Sequence, residues 1–327
     1  MSTVLKYSYE SVFAPFIEGL ILQKKSCGFI YDYESYILKK FDELCVSRGY
    51  PEAVITREIA MEWAIQRETE SINYRNQRLS FLRQLSLYMV SMGINSYIPR
   101  QQPSATIAVP HIPDARELKE LFEVIDKHCI PNKRCGNVFS IGYPVLYRLY
   151  YCCGLRLAEG CYLKRENVDL DRGILTVVHS KGNKDRLVHM ADDLSELCRE
   201  YDKIVSCYHP NRIWFFPGRI DGKPLYKTGI DNKFKYFWEM TESSKKCDKA
   251  LTVHGLRHAF VVDRINQWML EGIALEAMMP YLSKYLGHSG INGTMYYYHQ
   301  ARNAFQVARQ KDQLSGQIIP EVIMYEE

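Results

Sequence analysis

Four separated segments of this 327-residue sequence set unusual polar residues beside well-patterned apolar ones: GLRLAE with Arg156 and Glu159, SKGNKDR with Lys181, HGLRH with His254 and Arg257, and LGHSGINGTMYYYHQ with His288 and Tyr297. Arginine presents a permanently charged fork of donors shaped for phosphate or carboxylate oxygens. Tyrosine, with a pKa of about 10, becomes a nucleophile only when a base or a positive field takes its proton. Singly, each segment has a plainer account: Arg156 paired with Glu159 on one helix face, Lys181 as an exposed turn lysine, His254 as a helix-start histidine satisfied by backbone. Other chemistries fit worse. HGLRH puts His254 and His258 one helical turn apart, but the glutamate of H-E-x-x-H is absent and no third zinc ligand is evident. GHSG around Ser289 lacks the spacing of a G-x-S-x-G nucleophile elbow. GRIDGKP from Gly218 ends in proline where a phosphate-binding loop needs Ser or Thr. No metal and no cofactor is expected.

The elements that must position these residues fall into two groups. In the first hundred residues, apolar positions recur at helical spacing and predict four helices, roughly Val12 to Gln23, Tyr31 to Ser47, Thr56 to Arg67 and Asn73 to Met92. The fourth has an apolar face of Leu79, Leu82, Leu85, Tyr88 and Met89, leaving Arg75, Arg78 and Arg83 for another face. From Ser71 to Pro113 there is no Asp or Glu, so these arginines and Arg100 create a local positive field in a chain of net charge +4. The stretch Tyr97 to Asp114, with four prolines, reads as a linker. A helix then starts at Pro113 or Asp114, and an apolar helix ends near Cys153. Ile174 to Ser180 and Asp185 to Met190 flank KGNK as a β-hairpin, after which helical patterns return with a short apolar piece at IWFFP. The fold class is thus mainly α with a small β-sheet.

Together, and in this order, the four segments resemble the tyrosine recombinase (phage integrase) family over the whole second part of the chain. That pattern is an arginine in G-L-R-x-x-E, a lysine in a β-hairpin, H-x-x-R, L-G-H and then a tyrosine, met here by Arg156, Lys181, His254 with Arg257, His288 and Tyr297. Among Tyr296, Tyr297 and Tyr298, the middle one reproduces the family's spacing from Thr294 to the nucleophile and on to His299, leaving its neighbours to pack or to contact DNA. The resemblance implies a nucleophilic Tyr297, and His254 as proton acceptor or as an electrostatic and hydrogen-bonding contributor. It implies Arg156, Arg257 and His288 as donors to a five-coordinate phosphate, Lys181 as general acid, and Glu159 orienting Arg156. The product would be a 3′-phosphotyrosyl link and a free 5′-hydroxyl, which a second strand attacks without ATP.

The resemblance also implies a helical core-binding domain over residues 1–104, a linker over 105–112 and a mixed α/β catalytic domain over 113–327, closing on duplex DNA as a clamp. Arg75 and Arg78 are the candidate DNA contacts of the first domain. The expected partners are double-stranded DNA with inverted half-sites and further copies in a tetramer, or a partner recombinase, and no membrane. The tail Gln310 to Glu327 either docks on a neighbouring protomer or packs on its own domain. With no extra domain before the core-binding helices, the expected kind is a transposon, integron or dimer-resolution recombinase. The alternatives are a type IB topoisomerase-like enzyme, against which the basic helical first domain speaks, and a non-catalytic DNA-binding module, against which the intact set of six speaks. The ten cysteines are scattered without a CxxC pair, and the N-terminus has no signal-peptide pattern, so reduced thiols and a cytoplasmic location are expected.

Overall fold

The computed structural model describes residues 5–100, 110–129, 139–178, 185–220, 222–288 and 290–298, with residues 296–298 described by their helix backbone. The chain divides into two compact units, Met1–Ala108 and Val109–Glu327.

The first unit is built from α1 (Ala14–Ser26), α2 (Asp32–Arg48), α3 (Arg57–Trp63) and α4 (Ile72–Ser91) around a core that includes Phe13, Ile17, Phe41, Trp63, Leu82 and Leu85. Two helix starts follow from capping chemistry: Thr56 accepts from the Ile59 amide and Ser71 from the Tyr74 amide. Ahead of α1, the buried carboxylate of Asp42 accepts the amides of Glu10 at 3.0 Å and Ser11 at 2.9 Å, tying the leading segment to α2.

Arg78 corrects an expectation. It does not stand on a basic face for DNA: it is 1% exposed. Its Nε and Nη2 donate to Glu70 at 2.5 and 2.7 Å, Nη1 donates to the Trp63 carbonyl, and the guanidinium lies over the Trp63 ring. Burial alone would raise the Glu70 carboxyl, but Arg78 together with the Arg67 amide and charge outweighs it and holds that group below its ordinary range. Arg75, on the same helix, is half-buried.

The second unit comprises α5 (Ala115–His128), α6 (Gly142–Cys152), α7 (Leu157–Cys161), β1 (Val168–Asp169), β2 (Ile174–Val177), β3 (Arg186–His189), α8 (Asp192–Tyr208), α9 (Lys227–Glu239), α10 (Val253–Glu271), α11 (Leu275–Tyr285) and α12 (Asn292–Tyr298). Asp114 opens α5 with a capping box, exchanging hydrogen bonds with Glu117. The buried α6 packs against α8 and α10, and Tyr147 spends its hydroxyl on the Ile230 carbonyl of α9. The strands form one antiparallel sheet in the order β1-β2-β3, with Ile174 opposite His189 and Val177 opposite Arg186. Their alternation buries Leu175, Val177 and Val188 and leaves Leu187 outside. A smaller cluster of Phe260, Val261, Ile265, Met279, Leu282 and Leu286 joins α10 to α11, with Met295 of α12 packed on it. No helix among the described residues is long and apolar enough to cross a membrane.

Candidate active site

Arg156 sits at the turn into α7, and the turn depends on the glycine before it. Gly154 has φ +58°, and a Cβ there would lie 2.7 Å from the Phe260 ring, so both backbone angle and space demand glycine. Tyr150 of α6 donates its hydroxyl to the Leu157 carbonyl and pins the start of α7. Once the turn is made, Glu159 one turn on accepts both the Arg156 amide and its Nη1, each at 2.8 Å.

The same carboxylate receives a second arginine. Arg186, at the start of β3, donates Nη1 and Nη2 to Glu159 at 2.8 and 2.7 Å and Nε to the Tyr285 carbonyl. Burial would raise Glu159, but Arg186 first and Arg156 second hold it down at about 2. Arg186 is a further site candidate: it lies in the SKGNKDR segment, where local pattern shows its strand position but not its partner across the fold.

Arg156 also donates Nη2 to the Gly287 carbonyl at 2.8 Å. Gly287 has φ +67°, and a Cβ there would sit 3.2 Å from Arg186 and 3.3 Å from Arg156, so the glycine of L-G-H is what lets the backbone approach both guanidinium groups. From α10, Arg257 is 0% exposed and donates Nη1 to the Gly154 carbonyl and Nη2 to the Leu286 carbonyl. The G-L-R and L-G-H segments are therefore cross-tied by two arginines, each bound to the backbone of the other's neighbourhood.

His288 completes the cluster. Arg257 Nη2 lies 2.9 Å from His288 Nε2, and His288 Nδ1 lies 2.8 Å from the Thr294 hydroxyl. Arginine has only donors, so Nε2 accepts, the ring is neutral and its proton sits on Nδ1, facing Thr294. Desolvation, followed by the charges of Arg257, Arg156 and Arg186, lowers His288 to about 4, in keeping with that neutral form. Thr294, fully buried on α12, thereby links His288 to the helix that carries Tyr297. In the sequence it served only as a spacing mark.

His254, at the first turn of α10, is exposed, while its ring stands edge-on to His258 at 4.7 Å. Although solvent reaches one side of the residue, the protein packed around the ring partly desolvates it, and this, then Arg257 and Arg156, lower its pKa. His258 is pushed further, to about 3, chiefly by burial. Arg156, His254, Arg257 and His288 are thus gathered in one place, with Arg156 (side chain 23% exposed) edging a cavity of about 340 Å³ that Tyr162, Lys164, Thr176 and Trp214 also line. Lys181 lies outside the described residues, as does the side chain of Tyr297. A cluster of fixed cationic donors beside an exposed neutral imidazole can bind an anionic, phosphate-like group and take up a proton next to it.

Residues 114–304 match the model of the phage integrase family. The putative integrase/recombinase y4rE of Sinorhizobium fredii is 27% identical over 314 residues, covering 92% of this chain and 96% of that protein. The tyrosine recombinase XerA of Thermococcus kodakarensis is 26% identical over 251 residues, 76% of this chain and 79% of its own length. Of solved structures, the XerH site-specific recombinase bound to palindromic difH substrate as a post-cleavage complex superposes with a TM-score of 0.62 at 18% identity, covering 85% of this chain and 78% of that one. A lambda integrase dimer bound to a COC′ core site gives 0.55 at 13% identity, covering 86% and 94%. These structural likenesses are likenesses of fold, and they fit the helical architecture with its small sheet. The match to the family model spans more than half of the sequence, and so the chain belongs to the phage integrase family, the tyrosine recombinases, enzymes that cleave and rejoin DNA strands.

Proposed function

We propose that this chain is a site-specific DNA recombinase that breaks and rejoins strands through a 3′-phosphotyrosyl intermediate on Tyr297. The observation that carries the reading is the cross-tied cluster of Arg156, Arg257 and His288, held together through the carbonyls of Gly154, Leu286 and Gly287 with His254 beside it. Preorganised donors of this kind stabilise charge that develops on a phosphate as it becomes five-coordinate.

In the proposed step the Tyr297 oxygen attacks phosphorus, a P–O bond to tyrosine forms and the bond to the 5′-oxygen breaks. The tyrosine proton passes to His254, whose lowered pKa keeps the ring neutral and able to accept it near neutrality. Lys181 protonates the departing 5′-oxygen. Arg156 and Arg257 take the non-bridging oxygens. With Nε2 accepting from Arg257 and its proton on Nδ1, His288 in this state positions that arginine. It becomes a donor to the phosphate only when Arg257 turns its Nη2 toward the DNA and the ring carries a proton on Nε2, with the Thr294 hydroxyl then donating to Nδ1. Attack on the phosphotyrosyl ester by a second strand's 5′-hydroxyl reverses each step and conserves the bond.

Residues 1–104 serve as the core-binding domain and 113–327 as the catalytic domain, joined by the linker 105–112. Arg75 is the remaining first-domain candidate for a phosphate contact. Duplex DNA with inverted half-sites, bound by four copies or by two pairs of related recombinases, is the substrate, in keeping with the DNA complexes of XerH and lambda integrase that share the fold. The setting is the cytoplasm. The tail Gln310 to Glu327, proposed to dock on a neighbouring copy, lies outside the described residues.

The test uses a supercoiled plasmid bearing two direct repeats of a site selected from fragments of the source genome. Recombination resolves it into two smaller circles. A ladder of topoisomers of the undivided plasmid indicates a topoisomerase-like activity instead, and bound but unaltered plasmid indicates a non-catalytic module.

A further inference from the structure

Away from the arginine cluster, three side chains from two distant segments of the second unit converge. His111 precedes α5, Glu117 lies in its first turn, and Cys247 follows the short 3-10 helix Ser243–Lys246. His111 Nε2 is 3.1 Å from both Glu117 oxygens, and Cys247 Sγ is 3.3 Å from Glu117 Oε1 and 3.8 Å from His111 Nε2. We propose that His111, Glu117 and Cys247 form a three-residue zinc site, with its fourth position open to water, that braces the entry of the chain into the second unit.

The spacing suits the ion. A tetrahedral zinc with Zn–S of about 2.3 Å and Zn–N or Zn–O of about 2.0–2.1 Å separates its ligand atoms by roughly 3.3–3.6 Å, and the three observed separations bracket that range. One sulfur, one imidazole nitrogen and one carboxylate oxygen make a ligand set for a borderline divalent cation rather than for calcium or magnesium. The Glu117 carboxylate is already oriented to bind an ion, because its Oε2 accepts the Asp114 amide at 2.9 Å and leaves Oε1 toward Cys247. The His111 and Glu117 side chains are 21% and 13% exposed, shielded yet reachable, with water as the fourth ligand. Binding releases the Cys247 thiol proton to solvent.

The site lies against the helix that carries His254 and Arg257. A Cβ on Gly255, the residue after His254, would sit 3.1 Å from the His111 carbonyl, so the His111 segment packs directly on the first turn of α10. Zinc there ties together that segment, α5 and the stretch leading into α10. The bond-making chemistry proposed above does not pass through it.

The experiment titrates cobalt(II), as a spectroscopic stand-in for zinc, into the metal-free full-length protein. Expected is saturation at about one equivalent with a thiolate-to-cobalt charge-transfer band, displacement by zinc, loss of the band in Cys247→Ser, and binding weakened by roughly tenfold or more in His111→Gln. No thiolate band in the wild type, or a band unchanged in Cys247→Ser, overturns the proposal, since nine other cysteines are present in the chain. If Cys247→Ser does not fold, alkylation of the wild type decides: zinc protects Cys247 from iodoacetamide if the site exists, and equal labelling with and without zinc overturns it.

Discussion

With its ring proton on Nδ1 and held by Thr294, His288 keeps its Nε2 lone pair on Arg257, so the orientation of an arginine depends on a threonine three residues before Tyr297. Thr294→Val removes that hold at little cost in volume. The rate of DNA cleavage should fall by about ten- to hundredfold, the scale of losing an orienting hydrogen bond, with a stability loss of only about 1 kcal/mol; an unchanged rate would show that the tautomer is set elsewhere. Protonation of the site also shapes acid stability. Folded His288 and His258 titrate at about 4 and about 3 against an ordinary 6.5, and Glu159 at about 2 against 4.5. In each case the unfolded chain takes the proton first as pH falls, so stability is lost downward from pH 6.5 through the histidines and from 4.5 through Glu159. Denaturant midpoints should decline steadily from pH 6.5 to 4, and a flat profile over that window contradicts the burial described for the two rings. Most of this site was readable in the sequence because its segments are local: G-L-R-x-x-E, H-x-x-R and L-G-H each bring a side chain and the glycine or carboxylate it needs. Arg186 was not, because its partner Glu159 is 27 positions away and the two meet only through the tertiary fold.

The helix expected over Asn73 to Met92 is found over Ile72–Ser91, and the one expected to start at Pro113 or Asp114 begins at Ala115. Asp114 accepts an amide that its helix start leaves open, as does Ser71, which the sequence pattern did not single out. Elements too short to carry a period were not readable: β1 has two residues and α7 five. Arg78 failed for a different reason, since helical spacing says which face a residue occupies but not that a loop carboxylate eight positions earlier folds back to meet it. Two of the three arginines of α4, Arg75 and Arg78, therefore separate by experiment. Arg78→Ala leaves Glu70 buried without its cation and should cost about 3–5 kcal/mol of stability. Arg75→Ala should leave stability nearly unchanged and lower the slope of log affinity for DNA against log salt by about one; equal stability losses would contradict the buried pair. The glycine turn before α7 has its own test. Gly154→Ala must hold φ near +58° and push its Cβ toward Phe260, so denaturation should show a loss of about 1–3 kcal/mol or more, whereas a neutral effect would mean that the turn relaxes.

At the level of the whole molecule, the expectation was a domain over 1–104, a proline-rich linker over 105–112 and a domain over 113–327; by its contacts the chain divides into Met1–Ala108 and Val109–Glu327. Each unit has its own apolar pattern, helical in the first and interrupted by strands in the second. How the units engage DNA depends on surfaces and partners that a pattern of apolar spacing does not encode. The proposed function rests finally on one bond, between Tyr297 and DNA. The most direct measurement incubates the full-length protein, without magnesium or manganese, with a nicked duplex carrying the selected site, and resolves the products on a denaturing gel. Cleavage next to the nick releases a short fragment and traps the protein on the strand. A covalent protein–DNA adduct in the wild type that disappears in Tyr297→Phe, while both proteins bind the duplex equally, is the predicted result; an adduct that persists in Tyr297→Phe, or DNA that is bound by the wild type and never covalently joined, would contradict it.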